Sequence, residues 1–467
     1  MFMATGVRFP SDSSTATARH VVADALRKVD PVGAHAVERE TNWRRGYLTH
    51  FTRLLEAGLG SSQDALTIAT EGLRSIHEQM RCGDESLGDA LSTPASDVWS
   101  TVEISGTAEP ETELSVPYRG RRLTGSELDA QLDDWVSRGV VEPTFSDAIR
   151  DVAAHPQWLR LEGDTVVVLG AGAEMGPYRS LLRWGADVVA VDLPRSDIQR
   201  RIREQAREGA GRVRLPVGGK ETGADLLHHL PALASWLEDL EGRLVLGTYC
   251  YADGATHVRV TMAADAIAAR LVAQRPDTAL AYLATPTDVF AVPAGAVTTS
   301  NEAYESGRRL VRAPFRALSR GRLLQRNYPP EAELGICDAL VPQQGPNYAL
   351  AKRVQRWRAA AARQDGATVS LNVAPATRTA SVVKNRALAA AYAGAHRFGV
   401  EVFEPATSNV LMAALLVHDL RSGRVASDEP WREEAYAAAH GGLWTAAYHP
   451  RSALGLAAVL GLAGSRG

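Results

Sequence analysis

One stretch of the sequence, residues 164–193, restricts the fold more than any other. It reads DTVVVLG, then AGAEMG, then PYRSLLRWGA, and finally DVVAVDL. The two apolar runs are predicted to be buried strands, and the segment between them a helix entered through a glycine-rich turn. Strand, helix and strand in this order are typical of a parallel sheet that is covered by helices.

The same alternation continues along the chain and predicts the overall architecture. Four more runs are typical of strands, namely RVRLPVG, LVLGTYC, TALAYLAT and ATVSLNVAP, and most are separated by helical sequence. The fold class predicted is therefore α/β, with a doubly wound parallel sheet. Residues 83–120 lack a clear period and are interpreted as a linker or irregular strands.

A chain of 467 residues is too long for one hydrophobic core, so several parts are expected. We predict a mainly helical N-terminal extension over residues 1–155 and the sheet domain over residues 160–425. An insert occupies about residues 288–345 of that domain. A C-terminal helical tail follows over residues 426–467.

Composition and charge exclude several classes of partner. The net charge of −3 argues against a dedicated nucleic-acid-binding protein. Arg353, Arg356 and Arg358 form either a solvated helix face or a small basic patch. The apolar segment 452–464 is shorter than the roughly 20 residues that span a bilayer, so we expect a packed helix and no membrane span.

The cysteines point to a reduced compartment. Cys82, Cys250 and Cys337 are scattered and odd in number, and no pair has metal-ligand spacing. We therefore expect no disulfide framework, no metal site and a cytoplasmic location.

The glycine-rich turn is a candidate nucleotide site. Gly170, Gly172 and Gly176 allow backbone to approach a pyrophosphate at a helix N-terminus. Asp192 ends the second strand, where a carboxylate accepts ribose hydroxyls and favours NAD, while Arg195 keeps NADP open. Glu174 repels a diphosphate unless its side chain turns away.

The same turn and acidic residue also suit an S-adenosylmethionine-dependent methyltransferase, so residues elsewhere must decide. In GPNYALAKRVQRW, Tyr348 and Lys352 are four residues apart on a predicted helix, about 5–6 Å between Cβ atoms. An ammonium held there favours the phenolate and lowers the pKa of the phenol. A tyrosine tuned in this way acts as a general acid or base.

These motifs together resemble the short-chain dehydrogenase/reductase family, whose fold is a Rossmann sheet that binds NAD(P). The matching residues are Tyr348 and Lys352 at the start of a long helix, and Asn372, Pro375 and Thr379 on and after the next strand. The family's glycine pattern falls on Leu169, Gly170, Glu174 and Gly176. The resemblance covers roughly residues 160–425, with gaps.

The resemblance implies a role for each matched residue. Tyr348 is the general acid/base, Lys352 lowers its pKa and binds the nicotinamide ribose, and Thr285 holds the substrate carbonyl, with Thr287 as second choice. Gly247 and Thr248 lie beside the cofactor. Pro375 and Thr379 are also expected in the cofactor site.

The implied activity is NAD(P)-dependent interconversion of an alcohol and a ketone on a bulky, biosynthetic substrate. Arginines 308, 309, 312, 316 and 320 of the insert either meet an anionic, carrier-bound substrate or form a solvated face. The apolar helix NVLMAALLVHDL either closes over the substrate or forms a homo-oligomer interface. The alternatives are a methyltransferase or a non-redox lyase, isomerase or scaffold that retains the fold.

Overall fold

The structure of the protein is a computed structural model, which describes residues 6–11, 13–92, 98–307 and 309–464. Its strands, in chain order, are β1 (Val7–Arg8), β2 (Arg81–Cys82), β3 (Glu85–Ser86), β4 (Ser100–Ser105), β5 (Val116–Tyr118), β6 (Arg121–Leu123), β7 (Asp164–Leu169), β8 (Asp187–Val191), β9 (Arg212–Gly218), β10 (Glu221–Thr222), β11 (Arg243–Thr248), β12 (Ala279–Ala284), β13 (Val289–Val292), β14 (Gly335–Asp338) and β15 (Val369–Val373).

The helices are α1 (Ser14–Arg27), α2 (Pro31–Glu38), α3 (Trp43–Leu59), α4 (Ser62–Gln79), α5 (Gly125–Ser137), α6 (Pro143–Ala154), α7 (Tyr178–Trp184), α8 (Ser196–Glu208), α9 (Leu230–Glu238), α10 (Ala255–Gln274), α11 (Ala294–Ser306), α12 (Arg309–Leu318), α13 (Gly345–Gln364), α14 (Ala380–Lys384), α15 (Arg386–Gly394), α16 (Pro405–Arg421), α17 (Pro430–Ala435) and α18 (Pro450–Gly464).

The central sheet contains six parallel strands in the order β9-β8-β7-β11-β12-β15. Numbered along the chain, this is third, second, first, fourth, fifth and sixth, the order of doubly wound dinucleotide-binding sheets. It confirms the predicted α/β fold with a parallel central sheet. At the β9 edge, β4 and the short β10 pair antiparallel with β9, so the sheet also includes residues from the segment that the sequence suggested was a linker or irregular strands.

Alternate side chains of each strand enter two separate cores. In β7, Val167 and Leu169 face α9, α10 and α13, whereas Val166 and Val168 face α7, α8 and α16. This is why the strands are apolar along their whole length rather than at every second residue. Each fully buried Val or Leu contributes about 1.5–3 kcal/mol of transfer free energy.

The N-terminal extension is mainly helical, as predicted, and it covers one of the sheet's helices. Helices α1, α3 and α4 pack on the outer side of α13, which therefore lies between them and the sheet. Local signals explain where these helices begin: the Ser13 side chain accepts from the Ala16 N–H, and the Ser61 side chain from the Asp64 N–H. The consequence is that both faces of α13 are enclosed.

Helix α16 is a core element rather than a lid or an outer surface. Twelve of its residues, from Thr407 to His418, are buried, and they pack against α6, α7 and β15. The sequence interpretation of this helix as a substrate cover or an interface is therefore wrong. Its apolar character is explained by contact with the sheet on one side and α6 on the other.

Candidate functional site

The predicted site residues lie at the carboxyl ends of the parallel strands. The strand order reverses between β7 and β11, and in open α/β sheets ligands bind in the crevice at such a switch point. The glycine loop, residues 170–176, leaves β7 at this position, and Gly247 and Thr248 end β11 beside it. The fold therefore brings these two segments to one edge of the sheet.

Gly170 is required by a close approach of two chains. Its φ is +87°, and a Cβ there would lie 2.8 Å from the backbone N and Cα of Cys250, which follows β11. Any larger residue would push the loop away from β11. Gly176 is less constrained, since its added Cβ would meet the Tyr249 side chain at 3.4 Å.

Asp192 is bonded to the glycine loop. One carboxylate oxygen accepts from the Gly172 N–H at 2.8 Å, and the other accepts from the Leu193 N–H at 2.8 Å. Arg195 pairs with Asp197 at 3.0 Å. Asp192 therefore shapes the loop, and its contact with a ribose stays a prediction.

The loop is also held from the opposite side of the crevice. The carboxylate of Glu174 accepts from the Ala380 N–H at 2.8 Å. Asn409 of α16 donates to the carbonyls of Gly176 and Glu174, and it accepts from Ser180 at 2.7 Å. Asn409 is a positioning residue that sequence reasoning missed, because only the packing of α16 brings it to the loop.

Tyr348 lies in the first turn of α13 and is half-buried. Burial raises the pKa of its phenol well above the usual value, and a hydrogen bond with Thr285 acts in the opposite direction. The phenol therefore keeps its proton at neutral pH, contrary to the expectation of a lowered pKa. Its ring stacks on His257 at 5.6 Å between centroids, and Tyr251 lies edge-on at 6.4 Å.

Lys352 is anchored at the end of β12. Its Nζ donates to the Leu283 carbonyl at 3.0 Å and to Gln355 at 3.2 Å. Burial lowers the pKa of Lys352 to about 8, which the neighbouring Cys250 and Asp288 oppose. Since Cys250 also touches Gly170, the amine lies on the same side of the sheet as the glycine loop.

Thr285 belongs to a short row of hydrogen-bonded side chains. Its hydroxyl lies 2.8 Å from that of Thr287, which donates to the Gln344 amide oxygen at 2.8 Å. The two threonines considered from the sequence therefore lie side by side, and Thr285 is the one that acts on Tyr348. Because Thr287 donates to Gln344, the single proton of Thr285 is directed to the Thr287 oxygen in this structure.

His257 is a second residue that sequence reasoning missed. It is buried in the first turn of α10, and its Nδ1 accepts from the Ala252 N–H at 3.4 Å. Burial and the charge of Lys352 lower the pKa of His257 to about 3, so the ring is neutral. Its Nε2 has no hydrogen-bond partner among the described residues. The sequence feature that could have identified it is its position in the first turn of the helix that follows β11.

The other site residues predicted from the sequence differ in burial and in hydrogen bonding. Thr248 is buried, and its hydroxyl has no hydrogen-bond partner in the described part of the chain. Pro375 accepts from Thr377 at its carbonyl, and the Thr379 hydroxyl lies 3.0 Å from that of Ser381. Asn372 donates to Asp419 at 2.7 Å.

The residues at this edge fit a nicotinamide dinucleotide, with one exception. Thr248 offers a buried hydroxyl, unpaired among the described residues, at the end of β11, while the glycine loop is packed closely against Cys250, Arg201 and Asp192. Lys352 has a third N–H beyond its two bonds. The exception is Glu174, whose bond to Ala380 joins the two sides of the crevice.

The arginines of α13 are not a basic patch or a solvated face, and both interpretations are wrong. Arg353 and Arg356 pair with buried Asp288 at 3.1 and 2.7 Å, and Arg358 pairs with buried Asp265 at 2.8 Å. They are buried because the N-terminal helices cover α13.

Two insert arginines are bonded within the insert. Arg312 lies over the Tyr304 ring at 3.9 Å, and Arg316 donates to the Leu324 carbonyl at 3.0 Å. Arg308 lies outside the described residues. Contact between this group and an anionic carrier stays a prediction.

The sheet, its strand order and the polar groups at its carboxyl edge define an α/β protein with a Rossmann-type doubly wound sheet. No protein-family model matches the sequence, and no curated protein matches it. A solved structure described as "Structure of A-type Ketoreductases from Modular Polyketide Synthase" is similar at 16% identity, with a TM-score of 0.32. The match covers 56% of this chain and 47% of that one, so less than half of the ketoreductase chain is represented.

Two further searches concern metals and membranes. Within the described residues, no group of three or more His, Cys, Asp and Glu side chains is placed to hold a metal ion. None of the helices in residues 6–464 that the structure describes is both long and apolar enough to cross a bilayer.

Proposed function

We propose that the protein is an NAD(P)-dependent oxidoreductase of the short-chain dehydrogenase/reductase kind, interconverting an alcohol and a ketone. The observation that supports this most is that Thr285, at the end of β12, lies close enough to Tyr348 to act on the pKa of its phenol. This contact joins a helix and the end of a parallel strand at the sheet edge that carries the glycine loop. Two hydroxyls at one point are what a reacting carbonyl oxygen needs.

The reaction assigns one task to each hydroxyl. A bound reduced nicotinamide would supply hydride to the carbonyl carbon. Tyr348 carries its proton at neutral pH and gives it to the carbonyl oxygen, which becomes the alcohol hydroxyl. Thr285 would turn its proton from the Thr287 oxygen to the same substrate oxygen and stabilise its developing negative charge. In the reverse direction, Tyr348 would have to lose its proton first.

Lys352 and His257 lie on either side of this part of the crevice. The ammonium of Lys352 is held by Leu283 and Gln355, and a role for it in stabilising the phenolate stays part of the proposal. The stacked, neutral His257 adds no charge of its own. Gly170, Gly172, Thr248 and Lys352 would hold the dinucleotide.

A second candidate keeps the fold without redox chemistry. Two hydrogen bonds favour it. The Ala380 N–H donates to Glu174 and the Gly172 N–H donates to Asp192. These two backbone donors therefore already have carboxylate partners. A lyase, isomerase or scaffold accounts for these contacts. A methyltransferase would use the glycine loop and Asp192, but it leaves the Tyr348–Thr285 pair without a task.

Ligand-dependent melting separates these candidates. NAD(H) or NADP(H) should raise the unfolding free energy by about 2.7 kcal/mol at 100 times its Kd, a shift that a thermal melt detects. Absorbance of the reduced nicotinamide should then change with a panel of ketones and alcohols. Stabilisation by S-adenosylmethionine alone would contradict the proposal, and nucleotide binding without any absorbance change would favour the non-redox candidate.

Glu174 is predicted to weaken nucleotide binding by charge repulsion. Glu174→Gln removes the charge and retains an oxygen that can accept from Ala380. The nucleotide Kd should fall about fivefold or more, because like charges 4 Å apart repel by about 1 kcal/mol even in bulk water. Glu204→Gln, with the same charge change on the exposed face of α8, is the control for titration calorimetry. Equal effects of the two substitutions would exclude a local role.

A further inference from the structure

An apolar pocket lies directly beyond the row of hydroxyls. Its walls come from the loop after β14, from α15 and from α18, and Thr287 is also part of its lining. The lining residues that matter here are Leu340, Val341, Ala391, Tyr392, Ala453 and Leu454. The pocket therefore lies between the predicted insert and the C-terminal tail, at the side of the crevice nearest to Thr285.

The walls of the pocket are held at a fixed separation. Helices α15 and α18 cross at glycine positions: a Cβ on Gly394 would meet the Ala457 carbonyl, and one on Gly461 would meet the Ala390 carbonyl. Their backbones are thus in direct contact. Below the crossing, Leu454 packs with Val341 and Tyr392, so both helices contribute to one apolar surface.

The pocket has few polar side chains, and Thr287 links it to the row of hydroxyls. Thr287 bonds to Thr285, which lies beside Tyr348. The Tyr392 side chain also lies near enough to Tyr348 to raise the pKa of that phenol. Arg451 at the wall is already paired with Asp338 at 2.5 Å. A matching ligand has one oxygen at the hydroxyl end and an apolar body.

We infer that this pocket binds the unbranched aliphatic chain of the substrate, whose carbonyl or hydroxyl oxygen lies at Tyr348 and Thr285. This inference rests on the proposed function for the identity of the oxygen, but the pocket itself can be tested without turnover. It names the substrate class as an aliphatic ketone or alcohol. The burial of methylene groups supplies the binding free energy.

The test is titration calorimetry of the full-length protein with methyl ketones from 2-butanone to 2-decanone. Each added methylene should lower the Kd about fourfold, the fold-change that corresponds to about 0.8 kcal/mol per buried CH2. The heat capacity of binding should become more negative with chain length, as apolar burial requires. A Kd that does not change with chain length overturns the inference.

Variants on α18 locate the binding. Ala453→Phe fills the pocket and should abolish the dependence of Kd on chain length, while Ala458→Phe, a half-buried position of the same helix outside the lining, should retain it. If Ala453→Phe does not fold in a thermal melt, Leu454→Ala decides. Leu454→Ala lengthens the pocket, so the decrease in Kd with each added methylene should continue to longer ketones than in the wild-type protein. If the decrease stops at the same chain length in both proteins, the inference is contradicted. Retention of the wild-type dependence by folded Ala453→Phe also contradicts it.

The two proposals fail in different ways. If ketones bind with the expected dependence on chain length but no ketone or alcohol changes the reduced nicotinamide absorbance, the redox function is wrong and the aliphatic site stands. If turnover occurs but is indifferent to chain length in both Kd and KM, the aliphatic site is wrong and the redox function stands.

Discussion

Replacement of Tyr348 by phenylalanine should lower turnover by about 10²–10⁴-fold, the range that loss of a general acid produces. The ring keeps its stacking on His257 and its edge contact with Tyr251, so only the proton donor is removed. The nucleotide Kd should stay nearly unchanged. Steady-state kinetics of ketone reduction and a nucleotide titration measure the two quantities separately.

Tyr251→Phe is the matched control for this experiment. Tyr251 is half-exposed, its hydroxyl bonds to Asp253 at 3.1 Å, and its ring touches that of Tyr348. The loss of its hydroxyl should change turnover only slightly. Normal turnover of Tyr348→Phe, or an equal loss in both variants, would show that Tyr348 is not the acid.

Replacement of Asp288 by alanine should lower the free energy of unfolding by about 3–5 kcal/mol, as expected when one partner of a buried ion pair is removed. Asp288 is 1% exposed and pairs with Arg353 and Arg356. Burial alone would raise the pKa of Asp288, but these arginines hold that pKa below its usual value. Without the carboxylate, Arg353 has no ionic partner among its described contacts, and Arg356 retains only Glu434.

Urea unfolding measures this loss of stability when the dependence of the unfolding free energy on urea concentration has the same slope in the variant and the wild-type protein. The control is Asp197→Ala, which breaks an exposed pair with Arg195 and should cost far less stability, because solvent screens exposed ion pairs. If the two variants lose the same stability, α13 does not depend on its buried charges. The buried pairs matter for the site because α13 also carries Tyr348 and Lys352.

Much of the sheet could be predicted because its signals are local. The glycine turn, the apolar strands and the helix between β7 and β8 lie within about 30 residues, and each follows from spacing and turn chemistry. The edge strand β4 was not predicted as part of this sheet. Five of its six residues are exposed, so it lacks the apolar pattern of a central strand.

The site was only partly predictable, because its contacts join segments that are far apart in the chain. Thr285 and Tyr348 are separated by about sixty residues, and no local pattern states that their side chains lie together. Asn409 and His257 have no motif. The pKa of Tyr348 was expected to fall, but burial by neighbouring elements outweighs a single helix neighbour.

By itself, the sequence determined the class of sheet, the position of the glycine loop and the helix that carries Tyr348 and Lys352, because these depend on periodicity and backbone conformation within short windows. Only the tertiary structure decided which side chains meet: Thr285 with Tyr348, Glu174 with Ala380, and the α13 arginines with buried carboxylates. Contacts and burial arise from packing between segments far apart in the chain, and burial sets both the protonation of Tyr348 and the strength of the ion pairs.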